Sequence, residues 1–262
     1  MPGPSRAKAC VAASSRARPR AQLRRREVAA RYAAGMYTLV IGNKNYSSWS
    51  LRPWILLREA GIPFEEQLLV FGDEGAWAPY RTRVPTGKVP ALLDGDRLVW
   101  DSLGIAEYLA ERHAGVWPTD PDARAWARCA AAEMHAGFGP LRAQCSMNVG
   151  IRVRLHDVTP ALARDVARVD ALWTEGLTRF GGPFLAGATF TAVDAFFAPV
   201  VFRARTYGLA LGAPAAAYMA RMLERPAMRA WDAAAIAETF RDAPHDADCR
   251  AAGEWTADLR AV

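Results

Sequence analysis

The 262-residue sequence has few cysteines and histidines, and neither set is arranged for chemistry. Cys10, Cys129, Cys145 and Cys249 lie far apart and form no CxxC pair. That excludes a cysteine cage or a disulfide framework and suits a reducing cytoplasm. His113, His135, His156 and His245 also lack ligand spacing, so no metal is expected. No apolar stretch approaches the ~18 residues of a membrane-spanning helix, so no membrane partner is expected. A basic face is missing too, despite a formal net charge of +6. Residues 1–35 hold nine Lys/Arg and one acid, leaving 24 basic and 26 acidic residues in the rest. Beyond the tail the chain is near neutral, and nucleic acid is not expected as a partner.

What is present begins with Tyr37-Thr38-Leu39-Val40-Ile41, a short apolar run that reads as a buried strand. Ile55 to Gly61 reads as a helix stopped by glycine. Between them stands Asn45-Tyr46-Ser47-Ser48-Trp49-Ser50-Leu51-Arg52. Hydroxyls where a strand turns into a helix sit among unpaired N–H groups, at the positive end of the helix dipole. Such a place suits a bound anion. A plain Ser cap is the simpler reading of this segment by itself.

Further on, Val84-Pro85-Thr86-Gly87-Lys88-Val89-Pro90-Ala91-Leu92-Leu93 opens an apolar strand on a Val-Pro bond. Proline cannot donate to a ladder, so the bond makes sense as a cis peptide in a tight turn that bares the Val89 backbone. Asp94-Gly95 between apolar runs predicts a hairpin. Asp101-Ser102 then opens a helix over 103–112.

Val116-Trp117-Pro118-Thr119-Asp120-Pro121 is a proline-punctuated linker, and the chain beyond it reads as helices. One long helix is expected over 122–145, with Trp126, Ala130, Met134, Phe138, Leu141 and Cys145 near one stripe. A second is expected over 160–180. Thr191 and Asp194 have the spacing of a capping box, with Phe190 placed as a hydrophobic staple.

Strand, Ser-bearing turn, helix, strand (64–70), irregular segment, Val-Pro, hairpin, acid-Ser and helix, in that order, resemble the glutathione S-transferase superfamily. The resemblance covers roughly residues 36–262, and its nearest classes are the Ser-dependent zeta and tau types. In those the Ser lies five residues before an Arg, which selects Ser47 through Arg52. It implies an α/β thioredoxin-like N-terminal domain (36–114), a linker (115–121) and an all-α C-terminal domain (122–262). It also implies a cytoplasmic homodimer that uses glutathione as co-substrate.

The resemblance further implies roles. Ser47 would hold the glutathione thiol as thiolate, with Ser48 its neighbouring hydroxyl. Val89, before Pro90, would exchange backbone hydrogen bonds with the cysteinyl residue. Ser102 would take the γ-glutamyl carboxylate and Asp101 the γ-glutamyl ammonium, where Glu is more usual. Lys88 matches a tau-type lysine facing the glycyl carboxylate, or is a solvated turn lysine. Tyr46, Trp49, Met134, Phe138 and Leu141 would wall a pocket for a small apolar electrophile. Met134 and Leu141 read equally well as core. Arg142 and Asn148 stand near this wall as polar residues able to orient a carbonyl or carboxylate.

The implied activity is glutathione transfer to an apolar electrophile. Rivals are another glutathione-dependent enzyme (isomerase, peroxidase or dehalogenase) and a non-catalytic binding protein like the stringent-starvation regulators. Trp49 stands where zeta-type isomerases carry Cys, which counts against isomerase and thiol-exchange chemistry. The Ala/Arg/Ser-rich tail over 1–35 reads as a disordered transit-like segment or as a mis-called start, with Met36 the first residue directly before the first strand.

Overall fold

The computed structural model describes residues 36–261, and the expectations for 1–35 lie outside them. Strand β1 (Tyr37–Ile41) leads into helix α1 (Ser48–Glu59) and strand β2 (Phe64–Leu68). β1 and β2 pair in parallel, Tyr37 opposite Phe64, so α1 is the crossover that a parallel pair requires. Strands β3 (Ala91–Asp94) and β4 (Arg97–Trp100) form the expected hairpin. Gly95 at its turn has φ +59°, a conformation that glycine adopts without a steric penalty. The sheet order is β2-β1-β3-β4.

β1 is apolar along its length because both of its faces are covered. Leu39 and Ile41 pack into the core that holds α1. Val40 packs with Trp77 and Tyr80 of α2 (Glu74–Arg83). The segment expected to be irregular is therefore partly a helix. Asp73 caps it by accepting the Ala76 N–H, and Pro79 within it obscured the periodicity. Helix α3 (Ser102–Ala110) follows β4.

The second half contains α4 (Pro121–Ala136), α5 (Gly139–Gln144), β5 (Ile151–Leu155), α6 (Pro160–Phe180) and α7 (Ala192–Tyr207). Then come α8 (Ala213–Leu223), α9 (Pro226–Ala237), α10 (Ala243–Ala252) and β6 (Gly253–Asp258). The single helix expected over 122–145 is thus two. The chain breaks at Gly137-Phe138, where Phe138 sits at φ 59°, and Pro140 cannot donate to a continuing ladder. The half expected to be all-helical also carries a two-stranded antiparallel sheet, β5 against β6. In Ile151-Arg152-Val153 the two apolar residues are buried, the alternation of a strand, but the partner strand lies a hundred residues away.

All of α7 is buried except Arg205, which is half-buried, so this helix is the axis of the second half. Its N-terminus is tied down by Asp194. That carboxylate accepts from the Thr191 N–H at 2.9 Å, the Leu185 N–H at 3.0 Å and the Tyr218 hydroxyl at 3.0 Å. Burial pushes the carboxyl up to about 6. Leu51, Ile55, Phe196 and Val200 belong to one core cluster, so the α/β half and the helical half share a core. No helix among the described residues is long and apolar enough to cross a membrane.

Candidate active site

The turn between β1 and α1 is built from buried polar groups. Gly42 donates its N–H to Ser50 Oγ at 3.1 Å, and Ser47 Oγ stands 2.7 Å from the same oxygen. The helical half holds the turn from the other side. Glu238 accepts the Lys44 and Asn45 N–H groups at 2.7 and 3.2 Å, and Asn45 Oδ1 accepts the Gly150 N–H at 2.8 Å. Ser47 is the N-cap residue of α1, yet no side chain caps that helix and its first turn carries no acid. The positive helix end is therefore left for a ligand.

This turn opens on a cleft of about 380 Å³, lined by Tyr46, Ser47, Ser48, Trp49, Phe71, Trp77, Gly87, Lys88 and Val89. Arg142, Ser146, Met147, Arg203 and His245 complete it. Two larger cavities, about 490 and 720 Å³, hold none of the turn's hydroxyls. The Val89-Pro90 bond is cis. The Tyr80 hydroxyl donates to the Lys88 carbonyl at 2.6 Å, while among the described residues nothing pairs with the Val89 backbone. The Lys88 side chain is exposed.

Asp101 and Ser102 do not line this cleft. Asp101 caps α3 by accepting the Leu103 N–H at 3.1 Å, and the buried Ser102 donates to it at 3.2 Å. They connect to the cleft through His135, whose Nδ1 lies 3.7 Å from Asp101 Oδ1. The His135 ring meets Trp49 edge-on at 5.3 Å. Burial pulls the His135 imidazole below its ordinary value, keeping it neutral near pH 7.

The apolar wall expected from the second half is not found. Met134, Phe138 and Leu141 are buried in the core and do not reach the cleft. The break at Gly137-Phe138 puts Leu141 on a different helix from Met134, so the two no longer share a face. Tyr46 and Trp49 do line the cleft. The Tyr46 hydroxyl is engaged, accepting from Arg260 at 3.0 Å and donating to Asp246 at 3.2 Å. Burial also raises the Tyr46 phenol above its ordinary value, so it is a poor candidate for activating a thiol. Asn148 is buried beside the turn, accepting from Asn45 at 2.9 Å and donating to Asp246 at 2.9 Å.

The wall is basic instead. Arg142 donates to the Met134 and His135 carbonyls, Arg203 donates to the Cys145 carbonyl, and Arg52 stacks on Trp49 at 4.1 Å. Among the described residues no carboxylate pairs with any of the three. Arg52 is 2% exposed, and its Nε and one Nη have no hydrogen-bond partner there. Burial lowers Arg52 to about 9 and Arg203 to about 10, and mutual repulsion adds to both shifts. Arg203 and His245 carry no local signal in the sequence. They reach the cleft from α7 and α10, and only tertiary packing brings them there.

Residues 46–112 match the family profile of the glutathione S-transferase N-terminal domain, and residues 154–234 that of its C-terminal domain. A glutathione S-transferase-like protein, OpS6, of Beauveria bassiana is 28% identical over 196 residues, covering 68% of this chain and 88% of that protein. A stringent starvation protein A homolog of Pasteurella multocida is 26% identical over 181 residues, covering 65% and 79%. A crystal structure of a glutathione transferase homolog from Burkholderia, with bound glutathione, superposes with a TM-score of 0.57 at 22% identity. That match covers 76% of this chain and 97% of that one, and it shows a shared fold. The chain belongs to the glutathione S-transferase family, a class of enzymes whose co-substrate is glutathione.

Proposed function

We propose that this cleft binds glutathione and that the Ser47 hydroxyl holds its thiol as the thiolate for attack on a carbon electrophile. The observation that carries this reading is the uncapped N-terminus of α1, with Ser47 at the cap position, lining the same cleft as Val89, whose backbone has no partner among the described residues. A cysteinyl thiol ionises near pH 8.5, and each unit of lowering needs about 1.4 kcal/mol of preference for the anion. A charge-assisted hydrogen bond from a hydroxyl supplies about 1.5 kcal/mol or more. The helix end adds about 0.3–1 kcal/mol. Together these lower the thiol by one to two units, enough to populate the thiolate at neutral pH. Ser47 acts as a donor and does not ionise.

The Val89 backbone takes the cysteinyl amide groups, and Lys88 faces the glycyl carboxylate. The γ-glutamyl end runs toward Ser102 and Asp101 at the N-terminus of α3. Free Cys129, Cys145 and Cys249 suit a reducing cytoplasm, and a homodimer is the assembly that family membership supports. The test is the pH dependence of turnover with a generic aryl halide. Ser47→Ala should raise the apparent thiol pKa by about one unit with glutathione affinity nearly intact. An unchanged pH profile would transfer the role to Ser48. Glutathione binding with no transfer to any electrophile would favour a binding protein.

A further inference from the structure

Arg142 and Arg203, from α5 and α7, line the cleft, with Arg52 of α1 buried beside Trp49. Among the described residues none of the three forms a close ion pair: Asp101 acts on Arg52 and Asp165 on Arg142 only at longer range. Buried cations are ordinarily paired, because an unpaired one loses its hydration without compensation. Here two buried arginines, Arg52 and Arg203, stand with the half-buried Arg142. Arg203 is 6% exposed and, among the described residues, makes a single hydrogen bond, to the Cys145 carbonyl. Among the described residues two Arg52 nitrogens have no hydrogen-bond partner, while its guanidinium lies over Trp49 at 4.1 Å and Phe196 at 5.0 Å. Arg142 also lies over the Trp49 ring, at 4.8 Å. Two of the three, Arg142 and Arg203, line the same cleft as Ser47 and Ser48.

The geometry points to an anion subsite: the electrophile that meets the Ser47-bound thiolate carries a carboxylate or equivalent oxyanion, held by Arg142 and Arg203. Arg52, stacked behind Trp49, is a positioning residue that adds positive potential. This rests on the glutathione-transfer reading and makes its carbon electrophile an anionic one, in place of the apolar electrophile expected from the sequence. Glutathione does not supply the missing charge in that reading, since its carboxylates go to Lys88 and to the N-terminus of α3. For an aryl halide the step balances simply. The thiolate sulfur bonds to the ring carbon, the carbon–chlorine bond breaks, chloride departs with the electron pair, and the thiol proton goes to solvent. The arginines hold the ring's remote carboxylate and take no part in bond making.

A matched pair of probes tests the subsite: 4-chloro-3,5-dinitrobenzoate against its primary amide, compared by kcat/KM. The unreactive 4-nitrobenzoate and 4-nitrobenzamide are compared by calorimetry on the S-methylglutathione-loaded protein. The carboxylate should be preferred by about tenfold or more in both measurements, the least that a charge-assisted contact supplies. Arg142→Gln and Arg203→Gln should each bring that ratio toward one. Equal binding of the inert carboxylate and amide to the wild-type protein would overturn the proposal, and that measurement needs no variant to fold. So would a preference that survives both substitutions, or displacement of S-methylglutathione by 4-nitrobenzoate. Calorimetry needs no chemistry, so a protein that binds the carboxylate but transfers nothing would refute the transferase reading and leave the subsite standing.

Discussion

Ser47 Oγ and Ser50 Oγ stand 2.7 Å apart, one helical turn from each other, and Ser50 Oγ also accepts the Gly42 N–H. With that N–H bound, Ser50 has one proton and one free lone pair to share with Ser47. When an anion takes the Ser47 proton as a hydrogen bond, Ser50 can turn its own proton onto Ser47. Gly42 N–H, Ser50, Ser47 and thiolate then form one chain, each member polarising the next. Ser50→Ala should therefore raise the glutathione thiol pKa, by less than the unit expected for Ser47→Ala. It should also cost about 1–3 kcal/mol of stability, because the Gly42 N–H loses its buried acceptor. A pH–rate profile identical to wild type would mean that Ser47 works without its neighbour.

Ser102 and Asp101 lie outside the cleft proper, connected to it through His135 and Trp49. If the γ-glutamyl end extends to them, Ser102→Ala should weaken glutathione binding by about 1–3 kcal/mol. Asp101→Asn should weaken it similarly, and glutathione calorimetry reads both. Binding that survives both changes would place the γ-glutamyl group elsewhere, with Arg142 the first alternative.

Local chemistry made part of this site legible in the sequence. The Ser47 turn and the Val89-Pro90 bond are short-range signals, each spelled by neighbouring residues at a strand or helix end; Asp101-Ser102 spells the start of α3, which lies outside the cleft. The opposite wall had no such spelling. Arg203 lies in the C-terminal half of α7, two residues before Arg205, and nothing local says that one of the pair faces the cleft. Ser50 reads as an ordinary helical residue until its distance to Ser47 is known. The stripe through Met134, Phe138 and Leu141 failed because helical spacing assumes an unbroken helix, and Gly137 and Pro140 break this one. β5 and β6 were missed for a related reason: each strand depends on a partner remote in sequence.

Asp194 gives a pH signature of the fold. Its folded carboxyl keeps its proton to about pH 6, whereas an unfolded aspartate loses it near 4. Below pH 4 both states are protonated and this contribution to stability is fully present. As pH rises through that window the unfolded chain ionises first, and the contribution is lost by up to about 3 kcal/mol. Asp194→Asn removes the titration along with some hydrogen bonding to Leu185, Thr191 and Tyr218. The variant should be less stable than wild type near pH 4, and the gap should narrow as pH approaches 6.5. Denaturant melts across that range measure it; a gap of constant size would show that Asp194 is already ionised in the folded protein.

Phe138 separates core from pocket. It is 7% exposed, packs in the main core and holds a left-handed backbone at φ 59°, unfavourable for a residue with a Cβ. Phe138→Ala should cost about 3–5 kcal/mol of stability by leaving a cavity, while KM for the electrophile changes little. Phe138→Gly deletes the same ring but relieves about 1–2 kcal/mol of left-handed strain, against a backbone-entropy cost of about 0.5–1 kcal/mol. The glycine variant should thus be at least as stable as the alanine variant, reversing the usual order. Denaturation midpoints of the two variants, with initial rates at several electrophile concentrations, decide the matter. A raised KM with intact stability would return Phe138 to the substrate wall.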